Sequence, residues 1–132
     1  MKKVLILCTG NSCRSIIAEA LINKHLNNMK AYSAGVNPKD EVNPNAKKVL
    51  EQADAWQDEY HAKSVDVLDD LEFDLVVTVC DNASENCPIF PKKVEVIHVG
   101  FEDPEGKPFE AFEETLKNIK EKLLPIVRKK LS

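Results

Sequence analysis

The chain has 132 residues, of which 43% are hydrophobic and 30% charged. That is one domain's worth of sequence with enough apolar content for a core, which excludes disordered and fibrous chains. Lys and Arg number 18 against 22 Asp and Glu, a net charge of −4, so no overall basic field exists to hold nucleic acid or an anionic membrane.

Lys3–Leu7 is a continuous branched apolar run, the pattern of a strand covered on both faces. The run is too short for an export signal, and no later stretch reaches the ~18 apolar residues of a membrane span. The expectation is a cytoplasmic protein, where four cysteines serve redox, catalytic or metal roles rather than a disulfide scaffold. Ala18, Ile22, Leu26 and Met29, widened by Ile17 and Leu21, recur at helical spacing and predict a helix from about Cys13 to Asn28. Residues 30–35 carry a weak strand pattern. Asn43 and Pro44 supply a cap and first-turn proline for a helix bearing Ala46, Val49, Leu50 and Ala53. Residues 54–72 are acidic and hard to assign, although Val65, Leu68 and Leu71 allow a short helix.

Phe73–Cys80 is a second buried strand and Lys93–Val99 a further one, bounded by Pro91 and Gly100. Phe112, Leu116, Ile119, Leu123 and Val127 form the stripe of a last helix that Pro125 should kink. This alternation predicts a single α/β domain over 1–132, a three-layer sandwich on a mostly parallel sheet of about four strands with right-handed crossovers.

The chemistry concentrates where the first strand ends. Cys8–Ser15 reads Cys-Thr-Gly-Asn-Ser-Cys-Arg-Ser, a loop running from a parallel strand's carboxyl end into a helix, where free amides and the helix dipole converge on one electropositive spot. Gly10 lets the backbone turn closely, and Asn11 tolerates a left-handed conformation, so Thr9, Gly10, Asn11, Ser12 and Cys13 can form a nest of donors. Arg14 adds a bidentate fork for tetrahedral oxygens. The same surroundings favour Cys8 as a thiolate nucleophile, with Ser15 placed to hydrogen-bond it. The plain alternative is a small-residue turn holding a buried cysteine.

Cys80 and Cys87 form a second pair. If their segment were helical, seven residues would separate the Cα atoms by ~10 Å at ~1.5 Å per residue, beyond the ~7 Å a disulfide tolerates. Joining them requires the segment to unwind, at modest cost for its Asn, Ser, Asp and pre-proline residues. Zinc and inert buried thiols are the alternatives. The spacings Cys-x4-Cys and Cys-x6-Cys match zinc hairpins poorly.

The Cys8–Ser15 loop resembles the phosphate-binding loop of low-molecular-weight tyrosine phosphatases and of the arsenate reductases that share their fold. Further islands lie in matching order: Tyr32–Gly35, Val42–Pro44, Asp74–Thr78, the Cys80 to Cys87 spacing with Pro88, and Gly100–Pro104. Over nearly its full length the chain resembles a thioredoxin-coupled arsenate reductase of phosphatase-like fold. The resemblance implies that arsenate is the substrate, that Cys8, Cys80 and Cys87 relay two electrons, and that thioredoxin is the external reductant. It implies no tightly bound cofactor. Asp-Pro at Asp103 is on residues alone a structural turn, but the resemblance makes Asp103 the proton donor. It further implies a potassium site at Asn11, Glu19 and Ser33, with Asp66 offered for a fourth ligand in a segment that departs from the family pattern. Read without it, Glu19 and Ser33 are simply polar helix and strand-end positions.

Two rival functions remain at this stage: a phosphatase using Cys8, Arg14 and Asp103, and a non-catalytic oxyanion-binding redox sensor. A low aromatic content of 6% weakens the phosphotyrosine option, which needs rings at the pocket mouth. Cys13 reads as loop lining, His25, His61 and His98 as structural, Trp56 as packing, Asn82–Ser84 as a chance sequon, and Arg128–Lys130 as a solvated helix end. A monomer is the default expectation for a small acidic domain.

Overall fold

The computed structural model describes residues 1–80 and 93–131; Cys87, Pro88 and the Asn82–Ser84 sequon lie outside them. Four strands, β1 (Lys2–Cys8), β2 (Met29–Gly35), β3 (Leu75–Thr78) and β4 (Val96–His98), form one sheet in the order β2-β1-β3-β4. Every pairing is parallel. The helices are α1 (Arg14–His25), α2 (Pro44–Gln52) and α3 (Phe109–Leu131), with a 3-10 turn at Val65–Leu68.

The alternation of side chains along β1 assigns its two faces. Val4, Ile6 and Cys8 join the main core with all three helices, whereas Leu5 and Leu7 meet Ala34 and Val76 on the other face. That second face is covered by Tyr32, Val65, Leu68, Phe73 and Val94, so among the described residues this layer of the sandwich is a 3-10 turn and its flanks. The acidic stretch 54–72, poor in apolar repeats, supplies nothing longer.

Boundaries shift from the sequence expectations for local reasons. α1 stops at His25 because Leu26 is extended and Asn28 is left-handed at φ 63°, so Leu26 and Met29 reach the core from outside the helix. Asn43 caps α2 as expected, its Oδ1 accepting from the Asn45 amide at 2.9 Å. β4 shrinks to three residues at the sheet edge, half-exposed. α3 continues past Pro125 to Leu131, because the proline faces solvent while Leu123, Leu124 and Val127 are buried against the core.

Candidate active site

β1 carries Cys8, 2% exposed, to the carboxyl edge of the sheet. The loop after it is held from outside by the segment following β2. Val36, Asn37, Lys39 and Asn43 donate their amides to the carbonyls of Cys8, Thr9, Gly10 and Ser12 at 3.3, 3.0, 2.9 and 3.0 Å. Within a planar trans peptide the carbonyl and the following N–H point in opposite directions. Carbonyls drawn outward therefore turn the amides of Thr9, Gly10, Asn11 and Cys13 inward. The Asn11 amide accordingly donates to Cys8 Sγ at 3.3 Å. Asn11 has the left-handed backbone anticipated for it, φ 50°.

A hydrogen-bond chain fixes the sulfur. The Lys63 amide donates to Asn11 Oδ1 at 2.9 Å, and Asn11 Nδ2 donates to Ser15 Oγ at 2.8 Å. That oxygen lies 3.1 Å from Cys8 Sγ, and its proton is the donor when Cys8 is a thiolate. These donors are the contacts a thiolate requires as attacker or leaving group. Cys13 is different: burial pushes its thiol up to about 12, consistent with lining rather than reactivity.

Arg14, 4% exposed, opens α1 and spans to the loop after β4. Its Nη1 donates to the Phe101 carbonyl at 3.1 Å, and Nη2 lies 3.6 Å from Asp103 Oδ2. Asp103 Oδ1 accepts the Glu105 amide at 3.0 Å, an Asx-turn that holds the carboxylate over the pocket. A pocket of about 200 Å³ is lined by residues 8–14 with Asn37, Lys39, Asp103 and Glu105. The six loop residues, Arg14 and Asp103 thus line one pocket, and Ser15 joins them through Cys8.

Gly35 closes the Tyr32–Gly35 island, and the loop depends on it. A Cβ there would stand 2.4 Å from the Thr9 carbonyl oxygen, so only glycine lets the end of β2 approach. Its one sequence signal is a glycine ending a strand beside the oxyanion loop.

Leu7 pairs with Thr78 across β1 and β3, and the Val79 amide donates to the Leu7 carbonyl at 3.1 Å. Cys80 therefore lies at the same sheet edge as Cys8. It is buried and disulfide-bonded, whereas Cys8 and Cys13 are free thiols. Cys87 lies outside the described residues. No cluster of three His, Cys, Asp or Glu side chains suited to a metal occurs among the described residues.

The potassium reading requires correction at Asp66. Glu19 and Ser33 do meet, the buried serine hydroxyl donating to Glu19 Oε1 at 2.5 Å. Asp66 does not join them: Ser64 Oγ accepts the Asp66 amide at 3.2 Å, capping the 3-10 turn that carries Asp66 into solvent. Lys63 instead lines the cavity onto which Glu19 opens, and its amide occupies Asn11 Oδ1. A donor set missing its second carboxylate, with a cationic side chain beside it, does not fit a bound potassium ion. Burial raises Glu19, partly offset first by Lys63 and then by the Ser33 bond.

Two of the histidines have hydrogen-bond partners. His98 Nδ1 lies 2.7 Å from Thr78 Oγ1 and His61 Nδ1 2.8 Å from the Glu59 carbonyl, while partial burial lowers His25. Trp56 packs edge-on against Tyr60. Arg128–Lys130 form the exposed last turn of α3. No helix among the described residues is long and apolar enough to cross a membrane.

The family model for low molecular weight phosphotyrosine protein phosphatase matches residues 3–131. The chain belongs to this family. Among its members, an arsenate reductase of Bacillus cereus strain AH187 is 39% identical over 92% of this chain and 91% of its own length. The crystal structure of an arsenate reductase from Archaeoglobus fulgidus superposes with a TM-score of 0.83 at 35% identity, covering 94% of this chain and 98% of that one. An arsenate reductase in the phosphate-binding state gives 0.81 at 26% identity, with both chains covered in full. The four-stranded parallel sheet and its helices are the fold of this family.

Proposed function

We propose that the chain, acting as a single domain and a monomer in the cytoplasm, reduces arsenate to arsenite by a three-thiol relay. The observation that carries the reading is the juxtaposition of Cys8, on the floor of the oxyanion loop, with a disulfide-bonded Cys80 at the same sheet edge. Relatives named arsenate reductases support it, and a neighbour in its phosphate-binding state supports a tetrahedral oxyanion as ligand.

Arg14 and the inward amides bind the oxyanion. Cys8 thiolate attacks arsenic, and Asp103 supplies the proton that lets an oxygen leave as water, giving a Cys8–arsenic bond. Cys80 thiolate then attacks Cys8 Sγ. The sulfur–sulfur bond forms as the sulfur–arsenic bond breaks, and its electron pair stays on arsenic, which departs as trivalent arsenite. Cys87 attacks Cys80, returning Cys8 as thiolate with Ser15 stabilising it as leaving group, and an external dithiol, thioredoxin, reduces the Cys80–Cys87 disulfide. No step uses potassium.

Arsenate-dependent NADPH oxidation with thioredoxin and thioredoxin reductase tests this, alongside phosphate-ester hydrolysis. Sustained turnover that Cys87→Ser abolishes is the expected result. Absence of arsenate turnover, with ester hydrolysis unchanged in Cys87→Ser, would instead make the chain a phosphatase, an activity its family description names.

A further inference from the structure

Lys39 and Glu105 line the oxyanion cavity without a part in the relay. The Lys39 amide is pinned to the Gly10 carbonyl at 2.9 Å. A Cβ on Gly10 would lie 3.3 Å from Lys39 Cγ and 3.5 Å from its Cε, so the lysine stem lies flat over that part of the loop. Its ammonium then reaches across to Glu105, with Nζ and Oε2 3.6 Å apart. Glu105 in turn donates its amide to Asp103, and Asp103 neighbours Arg14. The ion pair therefore joins the oxyanion loop to the loop carrying the proposed acid.

The place of this bridge on the pocket gives it a consequence. In this pocket of about 200 Å³, Cys8 and residues 11–14 form the buried end, and Asn37, Lys39 and Glu105 are the exposed lining. A central atom with four oxygens fits. An aryl ester adds a ring that extends from the bound phosphoryl group towards this exposed lining, where Lys39 meets Glu105. We propose that the Lys39–Glu105 ion pair is the specificity-determining element of this site, admitting free tetrahedral oxyanions and excluding aryl phosphate esters. This deepens the arsenate reading and rests on it for the identity of the favoured oxyanion.

The test compares the full chain with Lys39→Ala, Glu105→Ala and the exchanged pair Lys39→Glu with Glu105→Lys. Two quantities are read: kcat/KM for p-nitrophenyl phosphate, and the inhibition constant of inorganic phosphate against it. Neither consumes a reductant, so failure here is separable from failure of arsenate turnover. Each single substitution is expected to raise aryl-ester kcat/KM about fivefold, the upper range for an exposed pair. Glu105→Ala should leave the phosphate inhibition constant within about twofold, and the exchanged pair should return kcat/KM towards the parent value. The proposal is overturned if the single variants leave kcat/KM unchanged, undetectable hydrolysis throughout included, or if the exchanged pair raises kcat/KM as much as the two single substitutions combined. A parent inactive on arsenate whose single variants still gain ester hydrolysis would remove the arsenate reading and uphold the selectivity.

Discussion

Ser15 is the residue on which the reactivity of Cys8 turns. Its oxygen accepts from Asn11 and lies 3.1 Å from Cys8 Sγ, where its proton can serve the thiolate. A hydrogen bond to a charged group is worth about 1.5–3 kcal/mol, so Ser15→Ala should lower kcat roughly ten- to hundredfold while leaving oxyanion binding to Arg14 and the amides largely intact. Single-turnover arsenate reduction and the phosphate inhibition constant check the two halves of this expectation. Loss of binding equal to the loss of rate would mean that Ser15 merely holds the loop's shape. At this scale the sequence was legible where a residue type is tied to one task. Cys8, Arg14 and Asn11 stand out because nucleophile, guanidinium fork and left-handed turn each demand a particular side chain at a particular spacing. Lys63 was not legible: its backbone amide does the work, and any residue other than proline donates one.

At the scale of elements, the oxyanion loop is shaped less by itself than by β2 and the segment leaving it. Four amides from residues 36–43 draw its carbonyls outward, and Gly35 brings that segment close enough to do so. Gly35→Ala forces a methyl group against the Thr9 carbonyl at 2.4 Å, well inside van der Waals contact. The loop or the strand end must shift, at a cost of about 1–3 kcal/mol by the measure of overpacked cores. A lowered Tm together with a phosphate inhibition constant weakened at least tenfold is expected. A variant that loses stability but binds phosphate as tightly as the parent would show that the strand end yields and the loop does not. Elements bearing continuous or helical apolar repeats, β1, β3, α2 and α3, were readable from sequence because their burial is their pattern. β2 gave a weak pattern although it pairs fully with β1, since an edge strand with a lysine and a tyrosine in alternate positions mixes both signals. The stretch 54–72 resisted because its order comes from two buried residues, Ala55 and Tyr60, and one 3-10 turn, too little to create a periodicity.

The whole molecule places its chemistry on one edge of the sheet and a buried charge behind it. Glu19 lies in α1 beneath that edge, 5% exposed, with its carboxyl raised chiefly by burial. Lys63 is lowered by burial and partly restored by Glu19, so each offsets part of the other's desolvation. The sign of the pH effect follows from linkage. A carboxyl whose folded value is raised contributes its stability in full below the unfolded value and loses it as pH rises through the folded value. An ionised Glu19 therefore costs stability at neutral pH. Glu19→Gln keeps an oxygen to accept the Ser33 proton and removes the charge. It should melt with the parent near pH 4.5, about the ordinary carboxyl range, and at a progressively higher temperature towards pH 8. The same melts in potassium and sodium chloride at equal ionic strength test the cation site, because an ion bound at Glu19 would stabilise the folded chain by mass action. Equal melting temperatures in the two salts, with the glutamine variant the more stable, are expected from Lys63 standing beside Glu19. A parent that melts higher in potassium than in sodium, and a variant that has lost that difference, would show that a cation displaces the lysine and that Glu19 is its ligand.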